Sequence, residues 1–197
     1  TDEAIRNRCL GEAHFLRAAY YFWLVNLYGK PYEKATANSD LGVPIKTSSQ
    51  VNDVIYSRNT VQEVYNQVLS DLQQAESDLS VARKVPTIYR ADITAVHLLM
   101  SRVYLYMQDW EMAKKYADKV LEAKAELVDL NSLKGSFLNK SSVENIFSMG
   151  GAEIPCSMCN YYQSFRVSHD LYNAYKDNDL RKSAYWWTYD DFVGYVR

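Results

Sequence analysis

The sequence predicts a mainly α fold of antiparallel helical hairpins, with a small irregular, strand-containing portion at its C-terminal end. Three observations predict it. Apolar residues recur at helical spacing in successive long stretches before residue 127. Thr60 and Glu63 make the S/T-x-x-E pattern of a capping box ahead of one of them. Gln108 and Asp109 alone separate two others, and helices joined so tightly must run antiparallel as neighbours.

The first helix is expected from Glu3 to Tyr28, with Ala4, Cys9, Leu10, Ala13, Leu16, Ala19 or Tyr20, and Leu24 at helical spacing and Gly29 and Pro31 as stop signals. Its second half, AAYYFWLVNLY, is apolar nearly all round and so must be buried on several sides. The apolar run Ala18 to Leu27 is interrupted by Asn26 and falls short of the ~20 residues of a membrane span.

From Gly29 to Asn59 the composition turns to Gly, Pro, Ser, Thr, Asn and Asp, with a strand-like piece only at Val43 to Ile45. A connection longer than ~15 residues is functional or disordered more often than not, so this loop is a candidate surface.

The second helix carries Val61, Val64, Tyr65, Val68, Leu69, Leu72, Ala75 and Leu79 on one face and Gln62, Glu63, Gln67, Asp71 and Gln74 on the other. Helices are expected at 91–107 and 110–124. Small Ser101, Tyr104, Asp109 with Trp110 at the turn, then Ala113, Ala117 and Val120, make the hairpin TPR-like: small residues let the backbones approach and aromatic residues fill the wedge beside them. The first two helices read as a similar unit whose turn is replaced by the long loop, giving a TPR-like α-α superhelix.

Past Leu127 the pattern weakens. Asn145 to Met149 reads as a strand or extended piece, Ser168 to Tyr175 as a short helix capped by Ser168, and AYWWTYDDFVGYV as a strand or hairpin. The division expected is a helical core at 1–127, with its loop at 29–59, and an irregular segment of the same domain at 128–197. The chain starts within a helical pattern and stops without a cap, which reads as a piece of a longer, truncated protein.

Composition excludes several classes. Hydrophobic residues at 48% and charged residues at 23% are those of a globular protein, and a net charge of -2 leaves no basic excess for nucleic acid. Three cysteines do not make a disulfide framework; Cys156 and Cys159 form a C-x-x-C outside any βαβ setting, and Cys9, His14, His97 and His169 supply no second ligand pair for zinc. No metal or other cofactor is expected. The 14% aromatic content, with seventeen tyrosines, suits half-buried surfaces.

Several passages together, in order and spacing, resemble the SusD/RagB family: EAHFLRAAYYFWLVNLYGKPY from Glu12, LGVPI at Leu41, SRNTVQEVYNQVLSDLQQA from Ser57, YRADITAVHLLMSRVYLYMQDWEMAKKYADKVL from Tyr89, ENIFSM at Glu144, and SHDLYNAYKDNDLR from Ser168. The resemblance implies a lipoprotein of the outer surface of Bacteroidetes-type bacteria, lipid-anchored through an N-terminal segment absent from this chain. It implies a lid over a SusC-like TonB-dependent channel, a role in polysaccharide utilisation as nutrient uptake, an oligosaccharide ligand, and in some members a peptide.

Sugar binding needs flat aromatic faces and planar polar groups. Outside the repeats, Tyr161, Tyr162, Trp186, Trp187, Tyr189 and Asp190, with Asp191, supply those types and are the candidate ligand-binding residues; the alternative is that they pack in a core or against further chain. A glycosidase needs two carboxyl groups roughly 5–10 Å apart across the scissile bond. Asp190 and Asp191 are neighbours that a strand would point to opposite faces, so no catalytic residue is expected. Arg17, Arg102 and the histidines read as structural, and Asp177, Asp179 and Arg181 as a turn with local ion pairing. The competing function is a TPR-type protein–protein interaction module, whose mark would be basic and polar rows on at least three repeats.

Overall fold

The computed structural model describes residues 2–51, 53–82, 87–133, 141–149, 168–189 and 192–195, with the backbone alone for 183–189 and 192–195. The chain divides into two compact units, residues 1–125 and 126–197.

In the first unit α1 spans Glu3–Tyr28, α2 Val61–Ser80, α3 Ile93–Tyr106 and α4 Trp110–Ala123. Each begins on a side-chain cap: Asp2, Thr60, Asp92 and Asp109 accept from first-turn amides that would otherwise lack partners. At α2 the capping box is complete, with Glu63 N–H donating to Thr60 Oγ1 (3.2 Å) and Thr60 N–H donating to Glu63 Oε2 (2.8 Å). The mainly α, TPR-like fold class expected from sequence is the one found.

Helices α1 and α2 form an antiparallel pair. Along it Phe22 meets Tyr65 edge-on, Arg17 meets Asp71, His14 meets Asp78, and Gly11 faces Leu79. Gly11 leaves room for Leu79 of α2, because a Cβ there would lie 2.6 Å from Leu79 Cγ. The face of α1 that is buried consists of Arg8, Gly11, Phe15, Ala18, Ala19, Tyr21, Phe22 and Val25, not the face through Cys9, Leu10, Ala13 and Leu24. Apolar counting misplaced the phase because the true inner face includes a glycine and an arginine, while the outer face is also apolar.

Val61, Val64, Tyr65, Val68, Leu72 and Ala75 of α2 are fully buried and form the centre of the unit together with Val96, Met100 and Val103 of α3. Burial of the Tyr65 phenol pushes its pKa up to about 12, and its hydroxyl donates to Asn26 Oδ1 (3.2 Å). Between α3 and α4, Ser101 Oγ donates to the Ala113 carbonyl (2.9 Å), so the small residue lets the helices close. Tyr104 stacks on Tyr116 with planes 8° apart and fills the wedge. Trp110 does not: it is 64% exposed. The turn is closed by Gln108 in the left-handed region, at φ 59°.

The loop after α1 is tied down rather than disordered where it meets α2. Leu41 and Thr60 form an isolated antiparallel bridge, Gly42 N–H donates to the Asn59 carbonyl (2.7 Å), and Arg58 donates to the carbonyls of Gly42, Leu41 and Tyr28. The strand-like piece expected at Val43 to Ile45 is thus reduced to these few contacts.

In the second unit, α5 spans His169–Ala174 on its Ser168 cap and α6 spans Leu180–Tyr185. Strand β1, Trp186–Tyr189, pairs antiparallel with β2, Phe192–Tyr195, in the register Trp186–Tyr195 to Tyr189–Phe192. The expected hairpin is therefore present. Residues 145–149 lie in neither helix nor strand.

Candidate functional site

Several charged side chains of the first unit join its helices. Arg17 makes a bidentate pair with Asp71, with Nε to Oδ2 at 2.8 Å and Nη2 to Oδ1 at 2.5 Å, and this partner raises the arginine pKa further above its ordinary value. Glu76 of α2 receives His97 Nε2 of α3 (2.9 Å) and Lys119 Nζ of α4 (2.7 Å). Burial pushes the Glu76 carboxyl up, and the hydrogen bonds from Lys119 and His97 outweigh it and hold the carboxyl below its ordinary range. His14 pairs with Asp78, and Arg8 pairs with Glu12 while donating to the Ala91 carbonyl. Arg17 and these two histidines thus have structural roles; Arg102 and His169 lie exposed.

Among the described residues, one feature with ligand-binding chemistry is a cleft of about 480 Å³ between the start of the long loop and the α3–α4 turn, lined by Tyr32, Lys34, Met107, Gln108, Asp109, Trp110 and Glu111. Tyr32 is buried and held there by donating its hydroxyl to Gln62 Oε1 (2.7 Å). Asp109 uses Oδ1 to cap α4 through Met112 N–H (3.1 Å), which fixes the first residue of the helix, Trp110, in place. The result sets an exposed indole beside an amide, two carboxylates and an amine. Such a group of side chains can stack the apolar face of a sugar ring and hydrogen-bond its hydroxyls. The sequence pattern places Asp109 and Trp110 at a turn; the signal that they also line a cleft is the loop's Tyr32, distant in sequence.

A second cleft of about 380 Å³ in the other unit is lined by Tyr172, Asp177, Asn178, Asp179, Leu180 and Lys182. Its charges are paired internally, Lys182 with Asp177 (2.8 Å) and Arg181 with Asp179 (2.6 Å), as the expected turn requires. Lys182 also lies 4.7 Å from the Tyr172 ring centroid. Of the ligand-binding residues expected from sequence, Tyr161, Tyr162 and Asp190 lie outside the described residues, as do Asp191, Cys156 and Cys159. Trp186, Trp187 and Tyr189 are placed by backbone alone, on β1. Among the described residues no three His, Cys, Asp or Glu converge as a metal site, and no helix is long and apolar enough to cross a membrane.

Residues 2–105 match a family described as starch-binding, associating with the outer membrane. The chain belongs to this SusD-like family. It is 32% identical over 107 residues to the SusD-like protein P38 of Formosa agariphila, a match covering 53% of this chain and 18% of that protein. It is 31% identical over 125 residues to the starch-binding protein SusD of Bacteroides thetaiotaomicron, covering 60% of this chain and 20% of that one. The solved SusD-like carbohydrate binding protein of Bacteroides vulgatus superposes with a TM-score of 0.77 at 26% identity, over 97% of this chain and 43% of its own. The SusD-like chain described here therefore spans about a fifth of these curated relatives and less than half of that solved structure. The matched region contains α1, α2, the loop between them and nearly all of α3, so the Tyr32 and Lys34 side of the cleft lies inside it.

Proposed function

We propose that this chain is the helical scaffold of a non-catalytic cell-surface protein that captures glycan oligomers and passes them to a SusC-like TonB-dependent channel in the outer membrane. The observation that carries this reading is the match of residues 2–105 to a starch-binding, outer-membrane-associated family. The names of its relatives, a starch-binding protein and a carbohydrate binding protein, support the ligand class. A lipid anchor on the same polypeptide and hand-off to the channel are part of the proposal.

Within the described residues, the cleft beside Trp110 is the proposed glycan contact, since it sets an exposed indole among polar side chains of the kind that bind hydroxyls. The candidates Tyr161, Tyr162, Trp186, Trp187, Tyr189 and Asp190 stand as a second proposed contact. The general TPR interaction module is less favoured, because its basic rows are not what the exposed face of α1 carries: Tyr20, Trp23, Leu24, Leu27 and Tyr28 are apolar or aromatic.

Isothermal titration of the whole protein with neutral oligosaccharides of increasing length tests the ligand class. Binding that strengthens with length up to a few sugar units is expected. Absence of heat with every glycan, alongside pull-down of a soluble cytosolic partner protein, would transfer the protein to the interaction-module class.

A further inference from the structure

The cleft beside Trp110 carries charge that the protein has not spent on itself. In the cleft at the end of α1, Lys30 pairs with Asp40, and the Arg58 guanidinium donates to the carbonyls of Gly42, Tyr28 and Leu41. In the cleft of the second unit, Lys182 pairs with Asp177, and Asp179 with Arg181. A ligand entering either one meets charges that already have partners. Around Trp110 the lining differs: Lys34, Asp109 and Glu111 are exposed, and among the described residues none of them forms a salt bridge. Asp109 commits Oδ1 to the Met112 N–H, a neutral donor, so its charge meets no cation. Two carboxylates against one ammonium leave the lining net negative at neutral pH. Both carboxylates belong to the residues that flank Trp110 in sequence, whereas the ammonium comes from the loop after α1.

Resting on the reading that this cleft binds glycan, we propose that it is a charge filter: Asp109 and Glu111 admit uncharged sugar units and exclude uronic and sulfated ones. An ionised carboxylate only accepts hydrogen bonds, so it is satisfied by the hydroxyls of a sugar ring stacked on the neighbouring indole. A ring that bears its own carboxylate or sulfate offers an acceptor where a donor is needed, and it sets like charges close together. Apolar stacking is indifferent to that difference, since the ring face is the same in both sugars. Discrimination therefore falls to the two carboxylates, which makes the captured class neutral glycans.

The test titrates the whole protein with maltohexaose, cellohexaose and mannohexaose, and with each of them after oxidation of C6 to the carboxylate, so that linkage and ring stereochemistry stay constant. At low salt the oxidised form of a bound glycan should bind at least tenfold more weakly than the neutral form. Raising the salt from about 20 mM to about 0.5 M should close much of that gap, because exposed charges are screened. In Asp109→Asn/Glu111→Gln, which keeps an accepting oxygen at the cap of α4, the ratio of oxidised to neutral affinity should rise at least tenfold and lose its salt dependence. An oxidised glycan that binds as tightly as its neutral form overturns the filter and leaves glycan capture standing. So does a preference for neutral glycans that the double variant keeps, or one that salt does not change; the salt response of the wild-type protein decides even where the variant fails to fold. Absence of binding by every neutral glycan overturns the filter as well. Where an oxidised glycan then binds, glycan capture stands, and where none binds, it falls with the filter.

Discussion

Arg17 on α1 and Asp71 on α2 form a two-pronged ion pair whose members differ in exposure, the aspartate side chain at 4% and the arginine at 34%. The asymmetry decides which deletion hurts more. Removing the arginine strands a buried carboxylate, whereas removing the carboxylate leaves a guanidinium that can turn into solvent. Arg17→Met is expected to cost roughly 3–5 kcal/mol in urea unfolding and Asp71→Asn about half of that. The double variant Arg17→Met/Asp71→Leu should recover most of the loss. Equal costs for the two single variants would show that the pair is not the asymmetric clamp described.

Glu76 joins α2 to both helices of the second hairpin through His97 and Lys119, and its carboxyl is held below the ordinary value of 4.5. A depressed carboxyl stabilises the fold above its unfolded pKa, and that contribution is lost as pH falls through the folded value. Stability should therefore decline between about pH 4.5 and the folded pKa, and Glu76→Gln should flatten that decline while lowering stability at pH 7. Thermal melts across pH 3–7 for both proteins give the answer; parallel curves would contradict it.

Gly11→Ala is expected to destabilise by about 1–3 kcal/mol although alanine favours a helix, because its methyl would meet Leu79 Cγ at 2.6 Å. Adding Leu79→Val should restore part of the loss. A stabilised Gly11→Ala protein would mean that the α1–α2 approach is looser than described.

Gln108 occupies the left-handed region at φ 59°, where a side chain is strained and glycine is not. Gln108→Gly should raise stability by ~0.5–1 kcal/mol, the relief of strain less the extra chain entropy of glycine. Gln108→Val should lower it, and the midpoint of urea unfolding measures both.

Trp110→Ala is expected to leave the melting temperature nearly unchanged, since the indole is 64% exposed, and to weaken glycan affinity by at least tenfold. Unchanged affinity would move the contact to the second proposed set, which includes Trp186 and Trp187, and leave the ligand class untouched.

Local chemistry made much of the helical core legible. The Thr60–Glu63 box fixes the start of α2, and the short link of Met107, Gln108 and Asp109 between α3 and α4 fixes their antiparallel packing, because each depends on neighbours in sequence. The inner face of α1 was not legible in the same way: Arg8 belongs to it through Glu12 and the carbonyl of Ala91, a partner that periodicity cannot see. The cleft was hidden for a related reason. Trp110 and Tyr32 are brought together by the fold, and a Trp at a TPR-like turn reads as wedge filler until Tyr104 is found already filling that place against Tyr116. The aromatic candidates of the C-terminal portion rest on residue type alone, so their standing is decided by binding measurements.

The most direct measurement of glycan capture is affinity electrophoresis of the whole protein through native gels containing soluble polysaccharides of different linkage. The expected result is retardation in at least one of them, reversed by its free oligosaccharide. Unretarded migration in every gel, together with no peptide binding and no association with a TonB-dependent channel, would contradict the proposed function.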